Sequence, residues 1–153
     1  MSVSVWIQVD PSQSGGPNGY NQILSSWGGG GDGRAWSIGT GGRGSHLAVD
    51  CGPNDPHRDL FNAPRTPIEN GVWLHVIYTH GPNGAALYLN GKAIVDTRVS
   101  FDLNPFIEPL IFGADNKGGR ANFRGLIDEV RIYNRALSAK EVSAIYDSEK
   151  PRG

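Results

Sequence analysis

Two stretches of this sequence gather the side chains that hold a polyhydroxylated ligand. Trp27 and Trp36 flank the glycine-rich run GGGGDGR, which carries Asp32 and Arg34. Aromatic planes pack on the C–H faces of sugar rings, while charged groups take the hydroxyls. A second stretch sets Asn54, Asp55, His57, Arg58 and Asp59 within a few residues of one another. Each has a plainer reading, because indoles also fill cores and charged clusters also solvate loops. Trp27, Asp32, Arg34, Trp36, Asp55, His57 and Arg58 are the candidate ligand contacts.

Hydrolytic chemistry finds little to use. A retaining glycosidase needs two carboxylates about 5 Å apart, which on one strand means acids at alternating positions. Asp128 and Glu129 are adjacent and would face opposite ways, and no Glu-x-Asp-x-x-Glu pattern occurs. His46, His57, His75 and His80 are the candidate bases, and His75, inside an apolar alternation, reads as a packed, hydrogen-bonded histidine. GGGGDG leads into a strand and not into a phosphate-binding helix. Cys51 is the single cysteine, which excludes an internal disulfide and a thiolate zinc cluster. No catalytic residue is expected.

Strands joined by glycine turns must carry these residues. Val3, Val5, Ile7 and Val9 alternate with Ser4, Trp6, Gln8 and Asp10, the period of a strand with one apolar face. Short runs follow at 22–27, 35–40 and 46–50, then a proline-rich segment from Cys51 to Pro67 reads as a long surface loop. Leu74, Val76 and Tyr78 alternate through 72–80. Asn90-Gly91 between two strand-like runs predicts a tight hairpin, since both residues tolerate positive φ. Residues 110–113 and 125–133 supply two further strands. Ser138-Ala139-Lys140-Glu141 is a capping box, and Leu137 with Val142 makes a hydrophobic staple, so one helix should run to about Asp147.

About nine short strands and one terminal helix predict an all-β chain of two packed antiparallel sheets. The missing Cys-Trp-Cys arrangement weighs against an immunoglobulin-like sandwich. With 153 residues the chain fits a single domain over 1–153. Its 14 basic and 15 acidic residues leave a net charge of -1, so no basic stripe addresses nucleic acid. No apolar run reaches spanning length, so membrane insertion is not expected.

The run from Gly125 to Ser138, GLIDEVRIYNRALS, resembles the closing motif of bacterial laminin-G-like domains in the concanavalin-A-like lectin and glucanase superfamily. Trp73-Leu74-His75-Val76 with Leu89-Asn90-Gly91 is similar to that family's central hairpin, and SVSVWI over residues 2–7 to its early strand. The resemblance implies an antiparallel two-sheet jelly roll. It also implies a non-catalytic carbohydrate-binding or adhesion module of a larger secreted or surface protein, its export signal outside this chain. The alternative role is a structural or protein-interaction domain.

Family members carry a strand ahead of SVSVWI that this chain lacks, so Gly125 to Tyr133 is expected to leave an open edge for protein pairing. The resemblance further implies a structural calcium held in part by the acid of the Ile-Asp-Glu motif, here Asp128. Strict alternation would set Asp128 on a face with Leu126, Val130 and Ile132, where a carboxylate needs a cation or backbone donors. Acceptance of a neighbouring backbone N–H is the competing account.

Overall fold

The computed structural model describes residues 1–12, 21–26, 36–41, 45–50, 66–97, 109–114 and 122–150. The chain runs β1 (Ser2–Val9), β2 (Asn21–Ser26), β3 (Trp36–Gly41), β4 (His46–Asp50), β5 (Trp73–Gly81), β6 (Gly84–Leu89), β7 (Lys92–Thr97), β8 (Ile111–Phe112), β9 (Gly125–Tyr133) and α1 (Ala139–Glu149). The strands form a five-stranded sheet ordered β7-β6-β5-β1-β9 and a four-stranded sheet ordered β4-β3-β2-β8. This is the all-β arrangement with one C-terminal helix that the alternation implied. No described helix is long and apolar enough to cross a membrane.

One compact unit holds Met1–Gln8, Trp73–Phe101 and Ile127–Gly153. Within it β1 pairs antiparallel with β5, Val5 opposite Val76 and Trp6 opposite His75. Val3, Val5, Ile7, Leu74, Val76, Tyr78 and Leu87 form one buried apolar face. On the other face Ile77, Ala86 and Tyr88 pack with Leu137 and Val142, and Tyr133 and Ile145 close the cluster. Helix α1 therefore covers the face that alternation alone would give to water.

The helix begins as its sequence requires. Ser138 Oγ accepts from Glu141 N, and the Glu141 carboxylate returns to the Ser138 N–H. Glu141 also pairs with Arg135, and these partners hold its carboxyl down at about 2, the arginine first. The Asn90-Gly91 turn has φ of 50° and 76°, the left-handed pair of a tight hairpin. A Cβ at Gly91 would also meet Tyr146 Cδ1 at 3.0 Å, so the helix rests on this turn.

In β9 Glu129 has φ of 49°, a local interruption of the extended backbone. Tyr133 reaches the cluster under α1, while Leu126 and Ile132 are 54% and 42% exposed, so the face that alternation gives to Leu126, Asp128 and Ile132 is open to solvent. Asp128 is exposed rather than set on a buried apolar face, and its Oδ1 accepts the Glu129 N–H at 2.8 Å. That exposure corrects the premise for a cation at Asp128, since a solvated carboxylate with a backbone donor needs none. Among the described residues β9 stands at the margin of its sheet, with β1 as neighbour.

The second unit holds Val9–Val72 and Asp102–Leu126. There β2 pairs with β3 and β8, and β3 pairs with β4. Trp36, Ile38, Leu24, Leu47 and Val49 are among its buried apolar residues.

Gly91→Ala is expected to cost about 1–2 kcal/mol, from the positive φ and the push against Tyr146. Urea unfolding checks it, and Lys92→Ala, one position on, should cost less than about 0.5 kcal/mol.

Candidate functional site

The ladder of the four-stranded sheet fixes where the candidate ligand residues are rooted. Ser26 pairs with Trp36, so the segment 27–35 leaves β2 and enters β3 at one end of the sheet. Ser37 pairs with Asp50, so the segment that follows β4 leaves from that same end. The second segment thus starts beside the roots of the first. The second returns where Pro67 bridges His46 and Ile68 N donates to Ser45 O. Trp27, Asp32 and Arg34 lie on the first segment and Asp55, His57 and Arg58 on the second, all outside the described residues.

Trp36 is the exception, and it corrects an expectation. Its indole is fully buried, so it offers no open stacking plane. Strand parity explains why: Trp36 shares a face of β3 with Ile38, which pairs with Leu24, and both are fully buried. The alternation Trp36, Ile38 was the available signal.

A second constellation, under α1, was missed in part by the sequence reading. Trp6 stacks on His75 with ring centroids 4.8 Å apart, and Tyr146 of α1 stacks on both at 5.9 Å. Trp6 Nε1 donates to Glu149 Oε2 at 2.9 Å, and Arg131 donates to Glu149 Oε1 and to Glu129. Ser4 Oγ and His75 Nε2 share a 2.8 Å hydrogen bond. His75 is the packed histidine expected from its setting. Burial, and then the charge of Arg131, hold its ring neutral down to about pH 4. Glu149 lies 143 positions from Trp6, and no local pattern announces such a pair.

This constellation is built for cohesion. Ser4 and His75 are buried, and the carboxylates of Glu129 and Glu149 both serve Arg131. Among the described residues no group of three or more His, Cys, Asp or Glu could hold a metal. Calcium takes six to eight oxygens. Asp128 brings one carboxylate, already committed in part to Glu129 N, so the described residues do not fit a calcium site.

Comparison with known proteins agrees with the fold. A laminin-G-like family model, described as the concanavalin A-like lectin/glucanases superfamily, matches residues 1–143. No curated protein matches the chain. A Bacteroides ovatus protein assigned to carbohydrate binding superposes with a TM-score of 0.67 at 21% identity, over 93% of this chain and 39% of that one. Domain 4 of AbnA, an extracellular GH43 arabinanase from Geobacillus stearothermophilus solved with arabinotriose, gives 0.66 at 20%, over 95% and 65%. The sialidase of Trypanosoma rangeli gives 0.67 at 20%, over 97% and 23%. The chain thus spans less than two thirds of each of these proteins.

Trp6→Phe keeps the stack and removes the indole N–H. It is expected to cost about 2 kcal/mol, the scale of a hydrogen bond to a charged group. Denaturant unfolding of Trp6→Phe beside Glu149→Gln would show the two changes to be non-additive.

Proposed function

The chain belongs to the concanavalin A-like lectin/glucanases superfamily, and from that premise we propose that it is a non-catalytic carbohydrate-binding or adhesion module of a larger secreted or surface protein. Its ligand contacts come from the segments 27–35 and 51–65. The observation that carries this reading is the strand register, which starts the second segment at the end of the four-stranded sheet where the first is rooted. Loops held at their roots by a rigid ladder are where binding residues concentrate. Trp27 supplies the stacking plane, and Asp32, Arg34, Asp55, His57 and Arg58 take hydroxyls. The neighbours of like fold include a protein assigned to carbohydrate binding and an arabinanase domain solved with a sugar, which supports a glycan as ligand. The carboxylates of Glu129 and Glu149 both pair with Arg131, a structural use of these acids in docking α1.

A panel of polysaccharides and a glycan array test this reading. Binding to at least one glycan without release of reducing sugar is expected. Trp27→Ala should weaken that binding by about 1–3 kcal/mol with little change in Tm. Trp36→Ala should instead lower stability by about 3–5 kcal/mol. A folded protein silent across the whole panel, or one that cleaves its ligand, would overturn the proposal.

One observation favours a second reading, a protein-interaction domain. Strand β9 lies at the sheet margin with Ile132 42% exposed, where an added strand could pair. The kink at Glu129 opposes it, since such irregularities blunt edges. Light scattering across a concentration series decides: self-association abolished by Ile132→Lys supports the edge, and a monomer throughout removes self-pairing.

A further inference from the structure

We propose that α1 is an acid-released latch triggered by His75: a proton on the buried ring undocks the helix from the five-stranded sheet while the strand ladder stays intact. The inference does not depend on the ligand of the loops.

Among the described residues the groups that face the ring come from four elements. From β1 come Ser4 and Trp6, and from α1 come Tyr146 and Glu149. From β9 comes Arg131, which also holds Glu129. The β6–β7 turn contributes the neutral Asn90, whose Oδ1 accepts the His75 backbone N–H and whose own N–H donates to the His75 carbonyl. Lys150 lies over the Tyr146 ring, 5.6 Å from its centroid.

A protonated imidazole must donate from both nitrogens. Nε2 has Ser4 Oγ, but Nδ1 is buried with no partner. A proton there would be a buried, unsatisfied donor carrying charge. Glu149 Oε2 lies 3.9 Å from Nε2, yet that oxygen already accepts from Trp6, and Oε1 accepts from Arg131. The attraction is shared out, and the positive Arg131 opposes the new charge.

The direction with pH follows. A solvated imidazole titrates near 6.5, and the docked ring stays neutral down to about 4. Between these values the undocked form binds more protons, so docking is at full strength above pH 6.5 and weakens as pH falls toward 4. The full effect is about a hundredfold in the docking equilibrium, near a factor of ten per pH unit.

The helix is the element that yields. The β5 backbone is paired on both sides, by β1 and β6, whereas α1 is held by side chains: Val142 and Ile145 in the cluster, Tyr146 on the stack and Glu149 on Trp6. Lifting α1 wets the ring without breaking a ladder, and it uncovers Trp6, Ile77, Ala86 and Tyr88.

Hydrogen exchange of the chain between pH 7 and 4, corrected for intrinsic rates, tests the latch. Amides of 139–149 should lose about a hundredfold in protection while β1 and β5 keep theirs. His75→Phe should hold the helix down to pH 4, with His75→Gln as the substitute if the phenylalanine variant fails to fold. Glu149→Gln keeps an oxygen for Trp6 and should still release. Four results would overturn the proposal: protection of α1 unchanged at pH 4, loss of β1 and β5 at the same pH, release persisting without His75, or release abolished by Glu149→Gln.

Discussion

Burial of β1 on both faces is the constraint on which this chain's C-terminal half depends. Seven of its eight residues are buried, Gln8 being half-exposed. The odd-numbered valines and Ile7 need only apolar neighbours. The even-numbered side chains are polar or carry a polar tip, and each buried one must find a partner. Ser2 Oγ donates to the Arg135 carbonyl and accepts from Leu137 N. Ser4 takes His75 and Trp6 takes Glu149. A row of three hydrogen-bonding side chains on one strand thereby fixes the path from Arg135 to the end of α1.

That row also explains why Arg131 and Glu149 can be partly buried. An isolated ion pair taken from water gains little, because desolvation offsets attraction. Here the carboxylate has an indole N–H on one oxygen and a guanidinium on the other, and the guanidinium has Glu129 as well. Removing one member would leave another unpaired, so the members act as a unit. The aromatic stack of Trp6, His75 and Tyr146 screens it from solvent and supplies the apolar contact that α1's short stripe of Val142 and Ile145 does not.

What the sequence disclosed divides along the range of the interactions. Local signals were dependable: the Asn90-Gly91 turn, the Ser138 capping box and the alternation of β1 and β5 each report on residues within a few positions. The missed features are non-local or depend on which face the fold leaves open. Nothing near Trp6 names Glu149 as its partner. The alternation in GLIDEVRIY was legible, but the exposure of its Leu126, Asp128 and Ile132 face was not, since apolar residues there suggested a covered one. Trp36 was misplaced for a different reason: its glycine-rich flank suggested a rim, while its parity with Ile38 already assigned it to the core.

The candidate site inherits its geometry from the ladder and its chemistry from the loops, and these two inheritances need not travel together. Pairing of Ser26 with Trp36 and of Ser37 with Asp50 depends on strand parity and a buried indole, features that many sequences can meet. This is why a sialidase, an arabinanase domain and a protein assigned to carbohydrate binding share the fold at about 20% identity without sharing a ligand by that fact. The residues proposed as ligand contacts stand on segments whose length and composition the ladder does not restrict. Specificity in such a domain is consequently free to change while Trp36 and its strand partners remain fixed.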